Sequence, residues 1–158
     1  LFANGGCSAM TNNDELENTP EQLLARAYAL RSNDPDETLK LYADWAETYD
    51  QTMLGGLSYS SPQRIAALAA VTEVRRDARI LDVGCGKGFM LHDFKKALPN
   101  VSLAGIDISK YCLKNTMETV KDVCTFASCD SLPFADNSFD LVVAIATIHN
   151  LDKNGVKK

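Results

Sequence analysis

The sequence of 158 residues has no stretch approaching the roughly eighteen consecutive apolar residues that span a bilayer, and no basic start followed by an apolar run. Neither membrane insertion nor a secretory leader is expected, and this reading places the protein in the cytoplasm. Histidine is scarce: His92 and His149 are the two in the chain, far apart. Five cysteines form no Cys-x-x-Cys pair and stand at no metal-ligand spacing from a histidine, so no metal is expected and the thiols read as reduced. Positive charge is also short, with 16 Lys and Arg against 21 Asp and Glu and a formal charge of -5. That leaves no basic footprint for a phosphate backbone, and nucleic acid is not an expected partner. What is present is ordinary for one globular domain with a core: 46% apolar and 23% charged residues.

Residue 1 is not methionine, and Met10 reads as the start. Residues 1–18 are polar and acidic with little to bury, which predicts a disordered tail. Residues 19–76 read as a helical cap. Thr-Pro-Glu-Gln at 19 to 22 places a cap, a proline and a glutamine ahead of Leu23, Leu24, Ala27 and Leu30, predicting a helix to about Arg31. Asp34-Pro35 opens a second helix carrying Leu39, Tyr42, Trp45, Ala46 and Tyr49 at three- and four-residue spacing. Ser61-Pro62 opens a third with Ile65, Leu68, Ala69 and Thr72, after a break at Gly55-Gly56.

From residue 77 to 158 short apolar runs alternate with helical patterns, the mark of an α/β fold with a parallel sheet. Strands are expected near 79–84, 102–107, 123–127 and 139–146. The first crossover helix shows Met90, Leu91, Phe94, Ala97 and Leu98 on one face and stops at Pro99. The second starts at a Ser109 cap and carries Leu113, Met117 and Val120.

Chemistry concentrates at the end of the first strand, in Asp82-Val83-Gly84-Cys85-Gly86-Lys87-Gly88. Glycines there allow positive φ and let backbone amides approach a ligand closely. Alone, such a loop fits either a tight turn or a nucleotide cradle. Asp107 ends the second strand, where a carboxylate can accept both hydroxyl hydrogens of an adenosine ribose; capping the next helix is the alternative. Asp130 follows the third strand at the same carboxyl edge of the sheet. A nicotinamide-dependent oxidoreductase would also use Asp107. Against it, the loop is Gly-x-Gly-x-Gly and Asp82 stands two residues before the first glycine. A catalytically silent binding or interaction module is a third reading.

The segments ILDVGCGKG, GIDIS, CDSLPFADNSFD and LVVAIATIHNL, in that order, resemble successive motifs of class I S-adenosylmethionine-dependent methyltransferases. LYADWAETYD at 41 to 50 resembles the segment that precedes the glycine loop in small-molecule members. The resemblance implies S-adenosylmethionine as cofactor, S-adenosylhomocysteine as product and a small-molecule methyl acceptor. It implies a Rossmann-like methyltransferase fold with sheet order 3-2-1-4 behind N-terminal helices. It places Asp82, Gly84, Cys85, Gly86 and Gly88 around the methionine part, Asp107 with Ile108 on the ribose, and Asp130, Ser131 and Leu132 around the adenine. Tyr49 would cover the methionine end, with a core aromatic as the alternative. Lys87 stands where many relatives carry a small hydroxyl residue, to contact the cofactor carboxylate or to point outward. Cys85 meets a steric need for a small residue. His149 is a candidate for removing an acceptor proton, or else shapes the pocket. A complete member has seven strands, so strands 5 to 7 are expected to be missing, and the fourth strand, left as an apolar edge, is expected to pair with a second copy in a homodimer.

Overall fold

The computed structural model describes residues 19–29, 35–46, 48–51, 60–72 and 74–147. The expected tail at 1–18, the Gly55-Gly56 break and His149 lie outside these residues. Helix α1 spans Pro20–Ala29 and begins in a capping box: Gln22 N donates to Thr19 Oγ1 at 3.3 Å and Thr19 N to Gln22 Oε1 at 3.2 Å. Helix α2, Pro35–Trp45, carries Asp36 and Glu37 in its first turn, where the helix dipole favours negative charge. Leu23 of α1 seals against Leu41 and Trp45 of α2, with Leu24, Ala27 and Tyr49 around them. Thr38 is also buried, whereas Leu39 is exposed, so the inward face of α2 keeps the expected Trp45 and Ala46 but is offset by one residue in its first turns. Trp45 explains the offset. Its ring sits at 4.9 Å from that of Tyr49 and goes with the inward turn of Leu41 and Thr38, four and seven residues earlier.

Helix α3, Ser61–Val71, buries Ala66 and Ala69 and leaves Leu68 and Thr72 outside. Small residues on its inner face let it lie close to helix α4, Phe89–Ala97, which contributes Met90 and Phe94 to the same core as Ile80. Strands β1 (Arg79–Val83), β2 (Ser102–Asp107), β3 (Cys124–Phe126) and β4 (Leu141–Val143) form one parallel sheet in the order 3-2-1-4. Alternation splits β1 between two cores. Ile80 faces α3 and α4, while Leu81 and Val83 meet Ile106, Phe134 and Phe139 on the other side. Strand β4 is shorter than the expected 139–146 and forms one edge of the described sheet.

The second crossover departs from the expected single helix. Helix α5 covers only Lys110–Lys114, and a 3-10 helix follows at Glu118–Val123. Side chains interrupt it: Asn115 Nδ2 donates to Tyr111 O at 2.8 Å, and Thr116 Oγ1 donates to Leu113 O at 3.0 Å. Tyr111 O holds the Asn115 side chain beside its helical amide, whereas Leu113 O is taken by the Thr116 hydroxyl while Met117 N turns away to Lys87 O at 3.0 Å. Val120 still reaches the core beside Leu91, so the apolar spacing survives the break.

Candidate functional site

In a parallel sheet all strands end at one edge. Here that edge gathers Asp82, the glycine loop, Asp107, the turn at 127–132 and residues 144–147. Gly84, Gly86 and Gly88 all have positive φ, at 79°, 54° and 81°. A side chain at Gly84 would overlap the Thr147 hydroxyl, so this turn needs glycine on two counts. Gly86 is different. A Cβ there would meet no atom within 4 Å, which leaves open space above its backbone for a ligand.

Asp107 holds the loop in that shape. Its Oδ2 accepts from Gly86 N at 2.8 Å and its Oδ1 from Ser109 N at 2.7 Å. Ser109 Oγ, not Asp107, caps α5 by accepting from Cys112 N at 3.2 Å. A carboxylate has about four acceptor positions, so two remain for a vicinal diol. Burial pushes the Asp107 carboxyl up from its ordinary range, and the amides of Ser109, Gly86 and Ile108 oppose the shift.

Asp82 presents the opposite situation. It is 1% exposed, and its Oδ1 accepts no hydrogen bond from any described residue. Burial first, then the neighbouring Asp107, raise its carboxyl to about 7. A buried acceptor without a donor is costly, roughly 1–3 kcal/mol, and asks for a cationic or N–H partner. Behind the loop, α4 has no acidic residue in its first turn and Lys95 and Lys96 in its last, so its positive end is left for an anionic group.

Cys85 turns down into the core with Leu91 and Val120, 7% exposed. Contact with Cys124, then burial, push its thiol up, which fits a packing residue. Asp130, Ser131 and Leu132 are exposed after β3, and Ile108 is half-buried beside Asp107. Tyr49 packs in the aromatic group with Trp45 and Tyr42, at 4.9 and 6.2 Å. Lys87 is largely covered: its Nζ pairs with Asp50 Oδ2 at 2.8 Å and lies 5.2 Å from the Tyr111 ring centroid. Asp50 and Thr147 are the site residues that sequence reasoning missed. No short spacing connects either of them to the glycine loop.

Elsewhere, a depression lined by Thr72, Val74, Arg75, Asp140 and Leu141 lies at the amino ends of β1 and β4, opposite the glycine loop, and takes no part in this chemistry. Among the described residues no three His, Cys, Asp or Glu side chains gather as metal ligands, and no helix is long and apolar enough to cross a membrane.

A glycine loop tied to the next strand's carboxylate, at the open edge of a 3-2-1-4 sheet, is the site of the class I methyltransferase fold. The sequence profile of the methyltransferase domain matches residues 80–158. The chain therefore belongs to this family, the S-adenosylmethionine-dependent methyltransferases, whose cofactor is S-adenosylmethionine. It is 27% identical over 122 residues to the malonyl-[acyl-carrier protein] O-methyltransferase of Hahella chejuensis, covering 75% of this chain and 42% of that one. It is 36% identical over 81 residues to the mouse mitochondrial arginine-hydroxylase NDUFAF5, covering 50% of this chain and 23% of that one. The chain thus spans less than half the length of these relatives. The structure of the plantazolicin methyltransferase BpumL in complex with S-adenosylhomocysteine superposes with a TM-score of 0.54 at 20% identity, over 90% of this chain and 52% of that one. A protein of Methanococcus maripaludis assigned to the same class gives 0.58 at 17% identity, over 71% and 54%. These two likenesses concern the fold.

The residues at this edge fit the cofactor. The orphaned Asp82 oxygen suits an ammonium or N–H donor, the space over Gly86 suits close approach, and Asp107 keeps acceptor capacity for a ribose.

Proposed function

We propose that this chain forms the cofactor-binding half of an enzyme that moves a methyl group from S-adenosylmethionine to a small-molecule acceptor. The observation that carries this reading is the pairing of a loop built by Asp107 with the unsatisfied Asp82 oxygen at one sheet edge. When bound, the cofactor supplies a methyl group made electrophilic by its sulfonium. The protein's own tasks are then alignment and exclusion of water. The glycine loop and Asp82 take the methionine part, Asp107 and Ile108 the ribose, and Asp130, Ser131 and Leu132 the adenine. Tyr49 covers the methionine end through its aromatic group, and His149 receives the acceptor's proton. Titration calorimetry with S-adenosylhomocysteine and with NAD tests the cofactor; binding of NAD alone sinks the reading in favour of an oxidoreductase. Methyl transfer across a panel of small acids, quinone precursors, lipids and sugars tests the acceptor.

A second reading draws on the 36% identity to an arginine-hydroxylase, namely that the domain serves modification of a protein arginine. Mass spectrometry of arginine peptides separates them: a gain of one oxygen supports the second reading, a gain of one methylene the first. We further propose a cytoplasmic protein that works without nucleic acid and pairs as a homodimer along β4, where Val142 is 54% exposed. A monomer by light scattering at high concentration removes that dimer.

A further inference from the structure

Beneath the glycine loop the fold brings two cysteines together. Cys85 belongs to the loop itself, and Cys124 opens β3 on the far side of β2. Strand register explains how they meet. Gly105 of β2 is the partner of Cys124, so the Cys124 side chain stands on the face toward which a Cβ at Gly105 would point. That Cβ would strike Leu91 Cδ1 at 2.7 Å and Cys85 Sγ at 2.9 Å. Glycine at 105 therefore leaves the gap over β2 that the Cys85 thiol fills, and both cysteines pack in one core with Leu91 and Val120. A Cβ at Gly88, at the other end of the loop, would stand 3.9 Å from Cys124 Sγ. The two thiols are unequal. Cys85 is 7% exposed, whereas Cys124 is half-buried and its Sγ donates to Val120 O at 3.3 Å. The Cys85 thiol beside it holds the Cys124 thiol below its ordinary value. Cys112 and Cys129 are pushed up by burial, which leaves Cys124 as the most readily ionised thiol among the described residues.

We propose that Cys85 and Cys124 form a redox clasp beneath the glycine loop, which a peroxide closes to a disulfide and which, once closed, loosens the loop's hold on the cofactor. The ligand half of this rests on the cofactor reading given above. The Cys124 thiolate attacks one oxygen of hydrogen peroxide; the O–O bond breaks, Cys124 becomes a sulfenic acid, and the leaving hydroxide departs as water with the proton that the thiol released. The Cys85 sulfur then attacks the sulfenic sulfur. Its S–H proton leaves with the hydroxyl as a second water, and the two sulfurs are joined. Two thiols are oxidised by two electrons, and one peroxide is reduced to two waters. Closure draws Cys85 toward β3. The amides of Gly84 and Cys85 both donate to Ile106 O, at 2.8 and 2.9 Å, and the next amide, Gly86 N, donates to Asp107 Oδ2. A pull on Cys85 is passed directly to Gly86, over whose backbone the ligand space lies.

The test treats the full chain with hydrogen peroxide and follows it by peptide mass mapping and by calorimetric titration with S-adenosylhomocysteine, before and after reduction with dithiothreitol. Wild type is expected to lose two hydrogens in a link between Cys85 and Cys124, to bind S-adenosylhomocysteine about tenfold more weakly, and to recover on reduction. Cys124→Ser keeps a donor for Val120 O and should hold its reduced affinity through the same treatment. A link to any other cysteine, oxidation that stops at sulfur acids, or a Cys85–Cys124 link that leaves affinity unchanged overturns the proposal. An equal loss of affinity in Cys124→Ser also overturns it, because the effect then arises from oxidation elsewhere. If reduced wild type binds no S-adenosylhomocysteine, the cofactor reading itself falls, and the gating with it.

Discussion

The ends of β1 and β2 each carry one carboxylate, Asp82 buried and Asp107 half-buried, and the fold treats the two in opposite ways. Asp107, ending β2, accepts backbone amides on both oxygens and so builds the glycine loop. Asp82, on β1, keeps an oxygen with no donor among the described residues. One acid is committed to architecture and has acceptor capacity to spare; the other is held ready at a cost to the fold. A region evolved only for stability would satisfy both. The contrast is a physical reason to take this edge as the candidate site.

The largest effect that could break the comparison is at Asp82. Its carboxyl is raised from 3.8 to about 7 in the folded protein, so the folded state holds the proton more tightly than the unfolded one. The contribution of Asp82 to stability is therefore greatest below the unfolded value near 4, falls as pH rises from about 4 to about 7, and levels off above. Asp82→Asn removes that slope and should stabilise the ligand-free protein at pH 8 by up to about 4 kcal/mol, measured by urea unfolding at several pH values. An unchanged pH profile would show that Asp82 finds a partner after all. Next in size, Asp107→Ala frees the amides of Gly86 and Ser109 and should cost about 3 kcal/mol of stability. It should also weaken S-adenosylhomocysteine at least tenfold, an effect of about 1.4 kcal/mol or more. Opposite signs at the two acids would sharpen the comparison. Smallest is Gly86→Ala: with φ at 54° and open space around the new methyl, the fold should lose about 1 kcal/mol. Ligand affinity should fall by more than stability does, because the methyl occupies the space that the ligand needs; a loss confined to stability would argue that nothing binds over this loop.

Much of this edge is legible in the sequence because it is local. Glycines at 84, 86 and 88 between an apolar strand and a helix face fix the turn, and short runs of alternating cores fix the sheet. Two kinds of feature escape. Where a tertiary contact chooses the face of a helix, spacing alone misleads: Leu39 fits the periodic pattern, yet Trp45 and its aromatic neighbours turn Thr38 and Leu41 inward. Where side chains compete for carbonyls, apolar periodicity runs on through a break, as at Asn115 and Thr116. The division of labour between Asp82 and Asp107 escapes for a third reason. Both read as strand-end acids, and only the positions of Gly86 N and Ser109 N distinguish them. The Lys87–Asp50 pair joins distant segments and leaves no spacing to find.

The central claim is that Asp82 waits for the cationic part of the cofactor. Calorimetric binding of S-adenosylhomocysteine to wild type and Asp82→Asn between pH 5 and pH 8 tests it most directly. If the claim holds, wild-type affinity rises by up to about tenfold per pH unit as Asp82 ionises and flattens above about 7, while the variant binds more weakly with no such rise. Identical, pH-independent binding by both proteins would contradict it.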